Sequence, residues 1–216
     1  MNIISTMAFK IESIDPKKTA VLVIDMQNDF ATEGYPLYTP MAAATIPKMA
    51  KFLDACRQKG IYVIYTSHVH RSNGDDLGIY DRLWDCIGAR EALIDGTPGV
   101  EIAPGIAPKG SEIVVKKHRY SGFYNTDMDL ILRNKKIETT AIIGVATDIC
   151  CFSTARDAMF YGYDVAFLSD LTGTFQFPDM GYGDYDVEVQ QRVTLNNIAL
   201  TTGDVMTSDD FLGRIR

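Results

Sequence analysis

Short apolar runs recur along the chain, separated by amphipathic stretches too long for hairpin turns. Residues 21–24 (Val-Leu-Val-Ile) read as a first strand. Between about 43 and 59 the period changes from continuous to helical. Ile46, Met49, Ala50 and Leu53 stand at i, i+3, i+4 and i+7, and Gly60 is placed to stop the helix. Residues 61–65 form a second run and residues 113–115 a third, and Thr126 is positioned to N-cap a helix ending near Asn134. Residues 140–143 make a fourth strand, followed by a helix from about Cys150 to Tyr161 that Gly162 ends. Residues 165–168 are a fifth strand, Asp186 to about Thr201 a helix, and a short last strand lies near Val205.

Strands alternating with helices predict a parallel sheet covered on both faces, hence a three-layer α/β/α, Rossmann-like fold in one domain, residues 1–216. Two stretches fit no period. Residues 66–110 are punctuated by Gly and Pro, and residues 175–185 combine aromatics with Gly. Irregular segments of this length in compact domains usually carry function, so the walls of any pocket are expected there.

Composition narrows the function. With 46% hydrophobic and 23% charged residues, 216 residues can enclose one large core. The formal charge is −7 and the 21 Lys and Arg are scattered, so a nucleic-acid partner is not expected. Residues 1–10 lack a basic leader with an apolar segment, and no run reaches membrane-spanning length, which predicts a cytoplasmic protein without a membrane partner. The four cysteines, Cys56, Cys86, Cys150 and Cys151, show no C-x-x-C spacing and are expected to be reduced thiols.

Asp25, Lys117 and Cys150 each come just after an apolar run. In open parallel sheets ligands bind at the carboxyl ends of strands, and a carboxylate, an ammonium and a thiol gathered there supply base, charge partner and nucleophile. A free cysteine beside a strand is commonly a small buried hydrophobe. The strand-to-helix turn changes that reading for Cys150, because unpaired amides there favour a thiolate with a lowered pKa and can bind an oxyanion. Cys151, about 100° further round, is expected in the core. Asp25, ending a wholly apolar strand, is placed for a raised pKa. Lys117 lies among Lys116 and Arg119, a pattern that also suits a solvated face. His68 and His70 project to one side of a strand, but no further Cys or His stands at a standard zinc spacing, which favours a structural or pocket-lining role and no metal. Neither a dinucleotide nor a P-loop motif is present, and no cofactor is expected.

Three segments carry a resemblance. They are Val23-Ile-Asp-Met-Gln-Asn-Asp-Phe30, Lys117-His-Arg-Tyr-Ser-Gly-Phe-Tyr-Asn-Thr-Asp127, and Gly144-Val-Ala-Thr-Asp-Ile-Cys150 followed by Ser153-Thr-Ala-Arg-Asp-Ala158. From about Thr19 to Phe211 the chain resembles the isochorismatase-like cysteine hydrolase superfamily. The resemblance implies a six-stranded parallel sheet, assembly into homo-oligomers, and a catalytic triad of Asp25, Lys117 and Cys150. It also implies a cis peptide before Ala146 and an oxyanion hole formed by the backbone N–H groups of Ala146 and Cys150. Asp148 and Cys151 replace the Asn and Val common in relatives, which bears on local hydrogen bonding. The histidine set of metal-dependent nicotinamidases is not seen. Relatives that cleave the isochorismate vinyl ether typically lack the cysteine, so its presence implies hydrolysis of a C–N bond. The stretch after Lys117 looks most like the branch acting on ureido and carbamoyl compounds such as ureidoacrylate, biuret or N-carbamoyl amino acids. Arg119, Phe30 and Tyr124 are the substrate-binding expectations. The alternatives are a vinyl ether hydrolase using Asp25 alone, and a non-catalytic binding relative.

Overall fold

The computed structural model describes residues 9–216, so most of the N-terminal segment read above as leaderless lies outside the described residues. Six strands form one sheet: β1 (Thr19–Ile24), β2 (Tyr62–His68), β3 (Ile113–Lys117), β4 (Thr139–Val145), β5 (Asp164–Gly173) and β6 (Asp204–Met206). Their order is β3-β2-β1-β4-β5-β6 and every pairing is parallel. β1 is buried along its whole length because helices cover both faces, which is why it reads as an unbroken apolar run. Val21 and Val23 belong to the core on one face, with Met49, Phe52 and Leu53 of the helix Ile46–Gln58. Ala20, Leu22 and Ile24 belong to the other, with Met128 and Leu132 of Met128–Asn134, Ala155 and Ala158 of Phe152–Phe160, and Ile198 of Val187–Thr201.

The strand order reverses direction between β1 and β4, and such a switch point opens a crevice at the carboxyl ends of the strands. Gly144 decides how closely these two strands approach. Its φ is +125°, and a Cβ there would lie 2.1 Å from the Ile24 carbonyl oxygen, one residue before Asp25.

Several boundaries differ from expectation. The helix expected over 43–59 begins later, at Ile46 with Pro47 in its first turn, and a separate turn, Pro40–Ala43, precedes it. Its buried stripe is Met49, Phe52, Leu53 and Cys56, with Ile46 and Ala50 at the half-buried margin. Asp127 rather than Thr126 occupies the N-cap position of Met128–Asn134, although Thr126 Oγ1 accepts from the Met128 N–H at 3.2 Å. Regular α-helix after β4 starts at Phe152, because Thr147–Cys151 is wound as a π-turn. The irregular 66–110 stretch includes the end of β2 and the helical turns Tyr80–Leu83, Asp85–Gly88 and Pro98–Val100.

Candidate active site

Asp25 directly follows β1, Lys117 ends β3, His68 ends β2, and Cys150 lies in the π-turn after β4. The sheet therefore delivers all four to one end. Asp25, Lys117 and His68 are at most 2% exposed and Cys150 4%. Asp25 adopts φ +48°, rare for a residue with a side chain, and its local bonds account for the fit. Its N–H donates to Thr66 Oγ1 at 3.1 Å, and that hydroxyl donates back to Asp25 Oδ1 at 2.7 Å. The other oxygen, Oδ2, stands 2.7 Å from Lys117 Nζ as a charge contact, without an aligned hydrogen bond of its own.

Lys117 Nζ also donates to the Arg119 carbonyl at 2.9 Å and to Cys150 Sγ at 3.5 Å. Its three donors thus face a carboxylate, a carbonyl and the sulfur. Burial alone would lower this ammonium; the Asp25 carboxylate and the sulfur outweigh it and hold Lys117 above its ordinary value.

The thiol departs from expectation. Burial pushes Cys150 well up, with Lys117 pulling down less strongly and Asp25 adding to the rise. Desolvation outweighs the pull of Lys117, which favours a neutral thiol over a preformed thiolate. A carboxylate oxygen of Asp25, a ring nitrogen of His68 and Cys150 Sγ lie within 4.8 Å of one another. Such a cluster can pass a proton from sulfur to carboxylate as the sulfur attacks. Cys151 is fully buried in the core, as expected.

The Val145–Ala146 peptide is cis, as the resemblance implies, and Ala146 borders the same cavity as Cys150. The Ala146 carbonyl accepts from the N–H groups of Ile149 at 3.2 Å and Cys151 at 3.1 Å. Thr154 Oγ1 donates to the Cys150 carbonyl at 2.7 Å and accepts from the Gly122 N–H at 2.9 Å, tying the turn that holds Cys150 to the segment after Lys117. Asp148 accepts from Thr174 Oγ1 at 2.6 Å and from the Gln190 amide.

A pocket opens over Cys150. The irregular segments supply much of its wall: Tyr80, Trp84, Ile87 and Leu93 from 66–110, and Phe175 from 175–185. Phe30 lines it too, together with Tyr120. Arg119 and Tyr124 do not. They share a separate recess with Asp76, His118 and Asn125, where the Arg119 guanidinium donates to the carbonyls of Asp76 and His118. Asp29, the second acid of its motif, is structural: its Oδ2 accepts from the Leu93 N–H at 2.7 Å, and Gly99 packs where a Cβ would strike it.

Thr66, Gln27, Tyr80, Trp84 and Tyr120 were not legible as site residues. Gln27 lies inside the first motif and brackets the end of β2, accepting from the His68 N–H at 2.8 Å and donating to its carbonyl at 3.0 Å. Nor did spacing reveal that His70, Asp76 and His118 converge, with possible ligand atoms within 4.8 Å. There Asp76 faces His118 Nδ1 at 3.2 Å and His70 Nδ1 at 3.6 Å, while His118 Nδ1 also lies 2.7 Å from the Val69 carbonyl.

Comparison with known proteins agrees with this geometry. The Isochorismatase domain family matches residues 19–210. A ureidoacrylate amidohydrolase, RutB, of Agrobacterium fabrum is 33% identical over 94% of this chain and 92% of its own length. Nicotinamidase 3 of Arabidopsis thaliana is 34% identical over 79% of this chain and 82% of its own. A cysteine hydrolase structure from Pseudomonas syringae pv. phaseolicola 1448A superposes with a TM-score of 0.93 at 34% identity, covering 98% of both chains. Since the family match takes in every strand of the sheet and all the residues gathered at its carboxyl end, the chain belongs to the isochorismatase family.

Proposed function

We propose that the protein is a cysteine-dependent amidohydrolase cleaving the C–N bond of a small amide, ureido or N-carbamoyl compound. The observation that carries this is the buried contact set of Asp25, Lys117 and Cys150 beneath the pocket. Amidohydrolase relatives matched over most of the chain support the same bond type.

Asp25 Oδ2 takes the thiol proton as sulfur attacks the carbonyl, and Lys117 balances the charge that moves between them. The N–H groups of Ala146 and Cys150 hold the oxyanion. Protonated Asp25 then gives its proton to the leaving nitrogen, ammonia departs, and a thioester remains on Cys150. Asp25 next deprotonates a water that cleaves the thioester, returning the thiol. No step needs a metal: Lys117 already neutralises Asp25, and a divalent ion between Asp25, His68 and Cys150 would face that buried ammonium. Self-association fits the exposed Leu130, Phe160, Val193 and Leu200, which stand on the three helices of one layer.

The deciding experiment measures ammonia release from a panel of amides, ureides and N-carbamoyl acids, before and after dialysis against a strong chelator, with mass spectrometry of the protein. Stoichiometric ammonia, a thioester mass on the peptide holding Cys150 and indifference to chelation are expected. Efficient isochorismate cleavage that survives Cys150→Ala, without ammonia from the panel, would reject the reading in favour of the vinyl ether reaction.

A further inference from the structure

The wall of the cavity is almost wholly apolar, and two of its polar groups, on Trp84 and Tyr120, are occupied with each other. Trp84 Nε1–H donates to the Tyr120 hydroxyl at 3.1 Å, which leaves the ring faces, not their polar edges, as the recognition surface. Tyr80 packs edge-on to Tyr120 with centroids 5.1 Å apart, and Phe175 packs edge-on to Trp84 at 5.8 Å. Leu37 and Ile149 complete the apolar lining.

Among the described residues, no cation is free to meet a substrate anion here. Lys117 is spent on Asp25 and the sulfur. Arg119 is turned into the neighbouring recess, its guanidinium bound to backbone carbonyls and 5.3 Å from the Tyr80 ring. His68, the remaining basic side chain of the wall, is held neutral by burial and then by the nearby Lys117 charge, and its Nε2 has no protein partner. A carboxylate buried among these rings would be an unpaired charge in an apolar enclosure, whereas a flat uncharged group gains burial and ring contacts. The net charge of −7 also disfavours approach of an anion.

We infer that the pocket selects a primary amide or ureide whose acyl side is uncharged and apolar, best aromatic, with the unpartnered His68 Nε2 as the polar contact beside the reacting group. This rests on the amidohydrolase reading for its chemistry but not for its pocket. The ring faces of Tyr80, Trp84, Tyr120 and Phe175 along the wall suit a single flat ring bearing the carboxamide.

The test pairs benzamide and 3-phenylpropanamide with 4-carbamoylbenzoate and succinamate. It reads kcat/KM for ammonia release by the wild-type protein, and binding of the same compounds to Cys150→Ala by calorimetry. The expected result is a preference of at least 100-fold for the neutral amides, narrowed at least tenfold by Leu37→Arg, which sets a cation in the half-buried part of the wall. Equal or better turnover of the carboxylated amides overturns the inference while leaving the amidohydrolase reading intact. If neutral amides bind Cys150→Ala but the wild type releases no ammonia from any amide, the inference stands and the reaction reading falls. Failure of the neutral amides to bind at all overturns the inference.

Discussion

Cys150 and Cys151 are adjacent, yet one borders the cavity and the other is sealed in the core. The pair is therefore an internal control on the nucleophile. Cys150→Ala should lower kcat by several powers of ten, while Cys151→Ala keeps most of the activity and loses some stability through the small void it leaves. Steady-state ammonia release and thermal melts measure both. Equal loss of activity in the two variants would reject Cys150 as the nucleophile. Residue chemistry was readable at this scale. An acid, a lysine and a cysteine, each after an apolar run, were visible in the sequence because strand ends leave a clear pattern. The state of the thiol was not, because it depends on desolvation by elements distant in sequence: Lys117, Asp25 and the packing that leaves the sulfur almost no solvent.

At the scale of elements, the junction of β1 with β4 sets the distance between the strand that leads into Asp25 and the turn that holds Cys150. Gly144 faces Ile24 across that junction, and any side chain there meets backbone in a conformation that L-residues rarely adopt. Gly144→Ala should cost about 3 kcal/mol of stability, seen as a lower urea midpoint, and should lower activity further in whatever fraction remains folded. A variant with wild-type stability would show that the strands can separate without cost. Most strands were legible because both faces of the sheet are covered and the apolar runs are continuous. The short helical turns within 66–110 were not. They contain no full helical period, and tertiary contacts such as the Asp29 carboxylate accepting from the Leu93 N–H hold that segment in place.

For the molecule as a whole, the two buried histidines at the end of β2 couple folding to pH. Burial lowers His68 well below its ordinary value of 6.5, and His70 to about 4 against the partial opposition of Asp76. Between these values and 6.5 the unfolded chain binds protons that the folded chain refuses, so stability rises with pH. It is complete above about 6.5 and is lost as pH falls toward 4. Denaturant midpoints measured across that interval should fall with acid, and His70→Gln should flatten the slope. An unchanged slope would mean that His70 remains protonatable in the fold.

The sequence by itself determined the parallel three-layer architecture, the positions of the acid, lysine and thiol at strand ends, and the family motifs around them, because each is written in local periodicity or in contiguous residues. Only the tertiary structure decided that Thr66 and Lys117 grip opposite oxygens of Asp25, that His70, Asp76 and His118 meet, and that Arg119 turns away from the cavity while Tyr80, Trp84, Tyr120 and Phe175 enclose it. Those facts depend on where side chains from separate elements point once the sheet is formed. Burial and pairing across the fold then set which charges remain available to a substrate.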